Sequence, residues 1–171
     1  MVLISERPAE AADRAVPGHW EGDLVQGGPH SAVATLVERS SRYLILVPLP
    51  EGRTADKVRD ALIEAIKALP DHLRRSLTWD QGKEMARHVE LKIAADIDVY
   101  FCEPGKPWQR GSNENTNGLL RQYFPKGHTD FRTVPREELD RVAHELNNRP
   151  RETLQFATPA EVYAHHVAMT A

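Results

Sequence analysis

A chain of 171 residues, 40% of them hydrophobic, has enough apolar side chains for one sizeable core and is most economically one domain rather than two. Its single cysteine, Cys102, excludes a disulfide framework and a thiolate zinc site and points to a reducing cytoplasmic compartment; Met1-Val-Leu-Ile4 runs straight into Ser5-Glu-Arg-Pro8, which is no secretory signal, and no apolar run approaches membrane length. The formal net charge of −3 excludes a protein held to nucleic acid by overall positive charge, but not one whose carboxylates are neutralised by bound metal; the stretch Pro104–His128 is locally basic, with Lys106, Arg110, Arg121 and Lys126 against Glu114 alone.

Residues 1–17, with Pro8 and Pro17 and no clear periodicity, read as a linker or arm, and the domain is expected over 18–171. The segment from Trp20 to Val25 and the β-branched runs Ser31–Glu38 and Arg42–Leu49 predict three antiparallel strands, with Gly27-Gly-Pro29 and Arg39-Ser-Ser41 as the turns. Thr54 is placed to cap a helix carrying Val58, Ala61, Leu62, Ala65, Ile66 and Leu69 at helical spacing, ended by Pro70. A short strand Ser76–Trp79 follows, then Asp80, a Gly82 turn, and a helix with Met85, Val89 and Ile93 on one face. Ile97, Val99 and Phe101 alternate as a strand that Pro104-Gly-Lys-Pro107 ends. A helix is predicted from about Ser112 to Phe124, another with Leu139, Val142, Ala143 and Leu146 on one stripe, and a last short one opened by the capping pattern Thr158-Pro-Ala-Glu161. The order is that of an α/β fold with a mixed sheet, antiparallel first and parallel where helices intervene.

Three acidic residues stand out in this order. Asp80 leaves an apolar strand for a glycine turn and a helix, which places it at the C-terminal edge of a sheet, where ligands gather in open α/β folds; a turn-forming aspartate fits the same context. Asp23 interrupts what should be a strand, a position depleted in Asp, or else sits in a loop. Glu114 lies on a helix rich in Gly111, Asn113, Asn115, Asn117 and Gly118, residues that each cost several tenths to about 1 kcal/mol of helix stability relative to Ala and leave room for a substrate backbone; by itself it is an ordinary solvated acid. Two carboxylates about 4 Å apart repel by roughly 4 kcal/mol at an effective dielectric near 20, so three brought together need a cation, and Mg²⁺ or Mn²⁺ suits hard oxygen donors.

Several strings carry a resemblance: Gly18-His-Trp-Glu-Gly-Asp-Leu24, Ala34-Thr-Leu-Val-Glu-Arg39, Leu77-Thr-Trp-Asp-Gln-Gly-Lys-Glu-Met85, the stretch from Gln109 through Asn113-Glu-Asn-Thr-Asn-Gly118 to Gly127, and Leu146-Asn-Asn-Arg-Pro-Arg151. In this order, with thirty-three residues between Asp80 and Glu114, they closely resemble the transposases of the insertion sequence thirty family, from about Gly18 to Tyr163. The resemblance implies an integrase-type catalytic core of the DDE class, retroviral-integrase-like, with a ribonuclease H-like fold: a mixed five-stranded sheet flanked by helices. It implies that Asp23, Asp80 and Glu114 are the catalytic, metal-binding triad, holding two Mg²⁺ or Mn²⁺ ions for cutting element ends and joining their 3′-hydroxyls to target DNA, with no small-molecule cofactor. DNA and a homo-oligomeric partner are expected, and a prokaryotic cytoplasm with nucleoid association.

Two departures from the family pattern are visible. No N-terminal helix-turn-helix region precedes the core, so a fragment is expected, and a non-catalytic assembly or inhibitory module is the rival function; His128 is one extra residue in the usual Pro-Lys-Gly-Thr-Asp stretch. A ribonuclease of RNA–DNA hybrids would share the metal site and is disfavoured by the family strings. Lys106, Trp108, Arg110, Arg121 and Lys126 are the candidate DNA contacts, an aromatic to stack on a splayed base and cations to meet phosphate, with burial against the sheet the competing role for Trp108. Trp20, Trp79 and Cys102 are expected in the core, and Glu21, two residues before Asp23, on the same sheet face as a supporting carboxylate. The eight histidines fall into no zinc-like spacing.

Overall fold

The computed structural model describes residues 1–12, 14–80, 82–104, 106 and 111–169 and, of residues 12, 83 and 111–114, the backbone only. Five apolar, β-branched runs form the strands β1 (His19–Gly27), β2 (Ser31–Glu38), β3 (Leu44–Pro48), β4 (Ser76–Trp79) and β5 (Asp98–Phe101), in one sheet of order β3-β2-β1-β4-β5. The first three pair antiparallel through tight turns, whereas β4 and β5 run parallel to β1 because α2 (Ala55–Lys67) and α3 (His88–Ala95) carry the chain back each time. This is the mixed five-stranded, helix-flanked architecture that the sequence predicts.

Period-two alternation along the strands makes two cores. Trp20, Leu36, Leu77, Trp79, Val99 and Phe101 pack on one face under Val58, Leu62 and Ile66 of α2 and Leu91 of α3. Val25, Val33, Val37, Leu44 and Leu46 face the other way, against Leu120 of α4 (Gly111–Leu120), Phe124, Phe131, and Leu139, Val142 and Leu146 of α5 (Arg136–Asn147). α5 is fastened to the edge strand by Asn147, whose side chain accepts from the Leu44 N–H and donates to the Leu44 carbonyl, both at 2.9 Å. α6 (Pro159–Ala168) opens with Thr158 accepting from the Glu161 N–H at 3.1 Å, and its Tyr163 stacks on Tyr43 with ring centroids 4.0 Å apart.

Three expectations are modified. Of residues 1–17, read as a linker or arm, the described part from Val2 to Ala11 lies folded against the sheet: the Phe101 N–H donates to the Val2 carbonyl at 2.8 Å, Leu3 bridges Phe101 in parallel, α1 (Ala9–Ala12) follows, and Ile4 and Ala11 are buried. The physical reason is β5, which would otherwise present a bare edge beside the buried Phe101 and Cys102. Met85, Val89 and Ile93 do not share a buried face; Met85 is buried in a separate 3₁₀ turn, while Val89 and Ile93 are 57% and 76% exposed. α3 starts only at His88, so its buried positions are Leu91 and Ala95, four apart. The helix predicted to reach Phe124 ends at Leu120, and Phe124 is buried from the turn that follows.

Candidate functional site

β1 and β4 lie at the centre of the sheet and run parallel, with Trp20 beside Leu77 and Gly22 beside Trp79. One residue beyond that last pair, each strand carries an aspartate: Asp23 on β1, half-buried, and Asp80 just past the end of β4, exposed. Adjacent strands are about 4.8 Å apart, so the two carboxyl-bearing residues are neighbours at the C-terminal end of the parallel pair. The glycine between Glu21 and Asp23 is required for this approach: a Cβ on Gly22 would lie 2.3 Å from the Trp79 ring, which crosses over the backbone there. Trp20 and Trp79 are both fully buried, as their expected core role requires, and the Trp79 indole N–H donates to Glu84 at 3.3 Å across the turn after Asp80.

Two of the bonds that hold Asp23 come from neighbouring N–H groups. Its Oδ1 accepts from the Leu24 N–H at 2.8 Å and its Oδ2 from Asn117 Nδ2 at 3.0 Å, a bond that ties β1 to α4. The backbone of Glu114 lies three residues before Asn117 on the same helix, about 4.5 Å along the axis; its side chain is outside the described residues. Among the described residues no three His, Cys, Asp or Glu side chains group closely enough to hold a metal. The described donors at this edge, the carboxylates of Asp23 and Asp80 and the amide oxygen of Asn117, are hard oxygens. Asn117 Oδ1 is buried with no hydrogen-bond partner. A hard divalent cation with its water shell fits that donor set.

Glu21 follows the regular strand and faces the same side as Asp23, as predicted, but its carboxylate is committed elsewhere. It is fully buried, with Arg39 Nη1 3.3 Å from Oε1, and Arg39 in turn donates from Nε to the Ala11 carbonyl at 2.8 Å. Burial holds the Arg39 guanidinium below its ordinary pKa despite Glu21, and burial together with neighbouring Arg39 pushes Arg7 down to about 10. Arg7 donates to Thr78 Oγ1 at 3.1 Å, on β4. The Arg39 partnership escaped the sequence reading; its signal was an arginine ending an otherwise apolar strand, with no acid beside it at helical or strand spacing except Glu38.

Of the candidate DNA contacts, Trp108 and Arg110 lie outside the described residues. Lys106 is exposed and pairs with Glu103, and Lys126 is exposed in the turn after α4. Arg121 donates to the Gln26 carbonyl at 2.9 Å and to the Phe124 carbonyl at 3.4 Å, so it also pins the end of β1. A cavity of about 580 Å³ lies elsewhere, between β3 and α2, lined by Tyr43, Leu49, Ala61, Ala65 and Leu69; it shares no residue with the acidic edge.

A mixed sheet of this order, acidic at the ends of its central parallel strands and crossed there by a helix, is the fold of the retroviral integrase core. The crystal structure of the catalytic core domain of BIV integrase matches it with a TM-score of 0.63, 19% sequence identity, and coverage of 87% of this chain and 95% of that one. The chain belongs to the integrase core domain family, whose profile matches residues 13–107. Among its relatives, the transposase InsI for insertion sequence element IS30A of Escherichia coli (strain K12) is 53% identical over 167 residues, covering 98% of this chain and 43% of that protein. The transposase for insertion sequence element IS1086 of Cupriavidus metallidurans is 53% identical over 169 residues, covering 98% of this chain and 49% of that one. The chain thus spans about half the length of these curated relatives. No helix among the described residues is long and apolar enough to cross a membrane.

Proposed function

We propose that this chain is the catalytic core of an insertion-sequence transposase of the DDE class, domain bounds 18–171, which cuts element ends and joins their 3′-hydroxyls to target DNA. The observation that carries the reading is the side-by-side position of Asp23 and Asp80 at the end of the parallel pair, next to the helix that bears Glu114. Asp23, Asp80 and Glu114 would hold two Mg²⁺ or Mn²⁺ ions, and bound metal supplies an activated oxygen nucleophile and charge stabilisation at the phosphate. The chain's own residues do the rest. Asp23 is kept in one orientation by the Leu24 N–H and Asn117; the parallel register of β1 and β4 sets Asp80 beside it; Gly118 of α4, with open space where a Cβ would lie, leaves room for a sugar–phosphate backbone.

DNA is the proposed partner, with Lys106, Trp108, Arg110, Arg121 and Lys126 along its path, acting in a homo-oligomer in the bacterial cytoplasm at the nucleoid. Lys126, exposed, would meet phosphate; replacing it by Ala is expected to weaken DNA binding uniformly across sequences and to reduce the salt dependence by about one counterion. The experiment for the reaction is cleavage of a pre-nicked element end with Mg²⁺ or Mn²⁺. Activity that vanishes in Asp80→Asn and Glu114→Gln supports the reading, and no activity at high protein concentration would favour the assembly or inhibitory module instead.

A further inference from the structure

We infer that Glu84 is a positioning residue for the metal centre, acting through Trp79; this rests on the reading of Asp23 and Asp80 as metal ligands. Two glycines flank the acidic pair, and each leaves the space that one of these two side chains fills. On β1, a Cβ on Gly22 would lie 2.3 Å from the Trp79 ring. In the turn after Asp80, a Cβ on Gly82 would lie 2.3 Å from each carboxylate oxygen of Glu84. The Glu84 side chain therefore folds back over the Gly82 backbone, as the Trp79 ring folds over Gly22. The indole N–H of Trp79, donating to Glu84 Oε1 at 3.3 Å, joins the two. The backbone just before Asp23 and the backbone just after Asp80 are thereby keyed to one hydrogen-bonded pair of side chains.

A fully buried indole needs an acceptor, and Trp20 shows the ordinary solution, donating to the Leu73 carbonyl at 2.8 Å. Trp79 takes a carboxylate instead, on a half-buried side chain four residues after Asp80. A further acid in this turn adds repulsion toward Asp80 in the metal-free chain, so stability alone favours a neutral acceptor. A bond to a charged acceptor is roughly twice as strong as a neutral one, which suits a clasp that holds two repelling carboxylates at a fixed separation. The far end of the turn is anchored as well: the Met85 N–H donates to the Gly82 carbonyl at 3.1 Å, and the Met85 side chain is buried in the core under α2. Asp80, though exposed, thus sits between two fixed points. Among the described residues no three acids group closely enough to hold a metal, so Glu84 acts on the ligands rather than as one.

The test is Mn²⁺ binding to the 171-residue chain, read by electron paramagnetic resonance, for the unaltered protein, Glu84→Ala, Glu84→Gln, Trp79→Phe and the double variant Glu84→Ala with Trp79→Phe. The indole N–H resonances of the metal-free, nitrogen-15-labelled chains report the clasp itself. The expected result is a loss of about tenfold in Mn²⁺ affinity for Glu84→Ala and for Trp79→Phe, the lower end of what removing a group that orients a ligand costs. The double variant should lose no more than either, and Glu84→Gln, which keeps an acceptor for the indole, should lie between Glu84→Ala and the unaltered chain. The Trp79 indole resonance should move in Glu84→Ala while that of Trp20 stays. If Glu84→Ala does not fold, Glu84→Gln and Trp79→Phe decide in the same way. If the folded variants of both residues bind Mn²⁺ as tightly as the unaltered chain while Asp80→Asn loses it, the positioning role is overturned and the metal centre stands. If Glu84→Gln loses as much as Asp80→Asn while Trp79→Phe loses nothing, Glu84 is itself a ligand and the inference is overturned. If the unaltered chain binds no Mn²⁺, or Asp23→Asn and Asp80→Asn bind as well as it does, the metal reading falls and this inference with it.

Discussion

Two positions on the central strands decide whether the acidic edge can exist. Gly22 has no side chain because the Trp79 ring occupies the space, 2.3 Å from where a Cβ would be. Gly22→Ala is therefore an overpacking substitution between two buried strands, expected to cost about 1–3 kcal/mol and to displace Asp23 and Asp80 together. Chemical denaturation measures the first effect; Mn²⁺ affinity measures the second, and a variant as stable as the parent would contradict the packing described. Asp80 is the opposite case. It is exposed, so Asp80→Asn should leave the metal-free unfolding midpoint unchanged or slightly raised by relieved repulsion from Asp23, while cutting activity is lost. A midpoint many degrees lower would mean that Asp80 holds the fold rather than a metal.

At the scale of elements, the N-terminal segment and the β1–β2 pair are joined by charges taken out of water. Glu21 and Arg39 are 0% and 5% exposed and 3.3 Å apart, and Arg39 reaches on to the carbonyl of Ala11 in α1. Removing one partner leaves the other buried and unpaired, so Arg39→Ala is expected to cost about 3–5 kcal/mol, whereas the apolar pair Glu21→Leu with Arg39→Met should recover most of it. A double-mutant cycle by urea denaturation gives the coupling, and additivity of the two changes would contradict the buried pair. Deleting residues 1–12 uncovers the β5 edge, and Cys102, 2% exposed beneath it, should then react rapidly with a thiol reagent that modifies the full chain slowly. Equal rates would place Cys102 outside that cover.

The whole molecule was legible in the sequence to the extent that local patterns decided it. Ser31–Glu38 and Ser76–Trp79 form strands over the predicted residues, and the Leu139, Val142, Leu146 stripe is buried as its spacing requires. What local pattern does not encode was missed: that the segment around Val2 and Leu3 would cover an edge strand, that a 3₁₀ turn would break the period between Met85 and α3, and that Asn117, a poor helix residue, would bond Asp23 across 94 residues of chain. The two aspartates were visible because Asp within a strand is unusual and Asp at the end of an apolar strand sits where ligands gather, but only the parallel register of β1 and β4 sets them side by side. Global stability should carry a histidine signature. His19 is buried, donating from Nε2 to Glu10 at 2.9 Å and accepting at Nδ1 from Ser76 at 2.7 Å, and burial holds its pKa below 6.5 despite Glu10; burial lowers His166 as well. The unfolded chain then takes up protons first as pH falls, so this stability is full above about pH 6.5 and is lost below it until the folded histidines protonate. Unfolding free energy measured against pH should fall through that window, and His19→Gln should flatten the fall. The account as a whole turns on the carboxylates, and a crystal of the chain grown with Mn²⁺ tests it most directly. An anomalous scattering peak bounded by Asp23, Asp80 and Glu114, absent in Asp80→Asn, is the predicted result; Mn²⁺ bound elsewhere, with those three side chains turned apart, would contradict it.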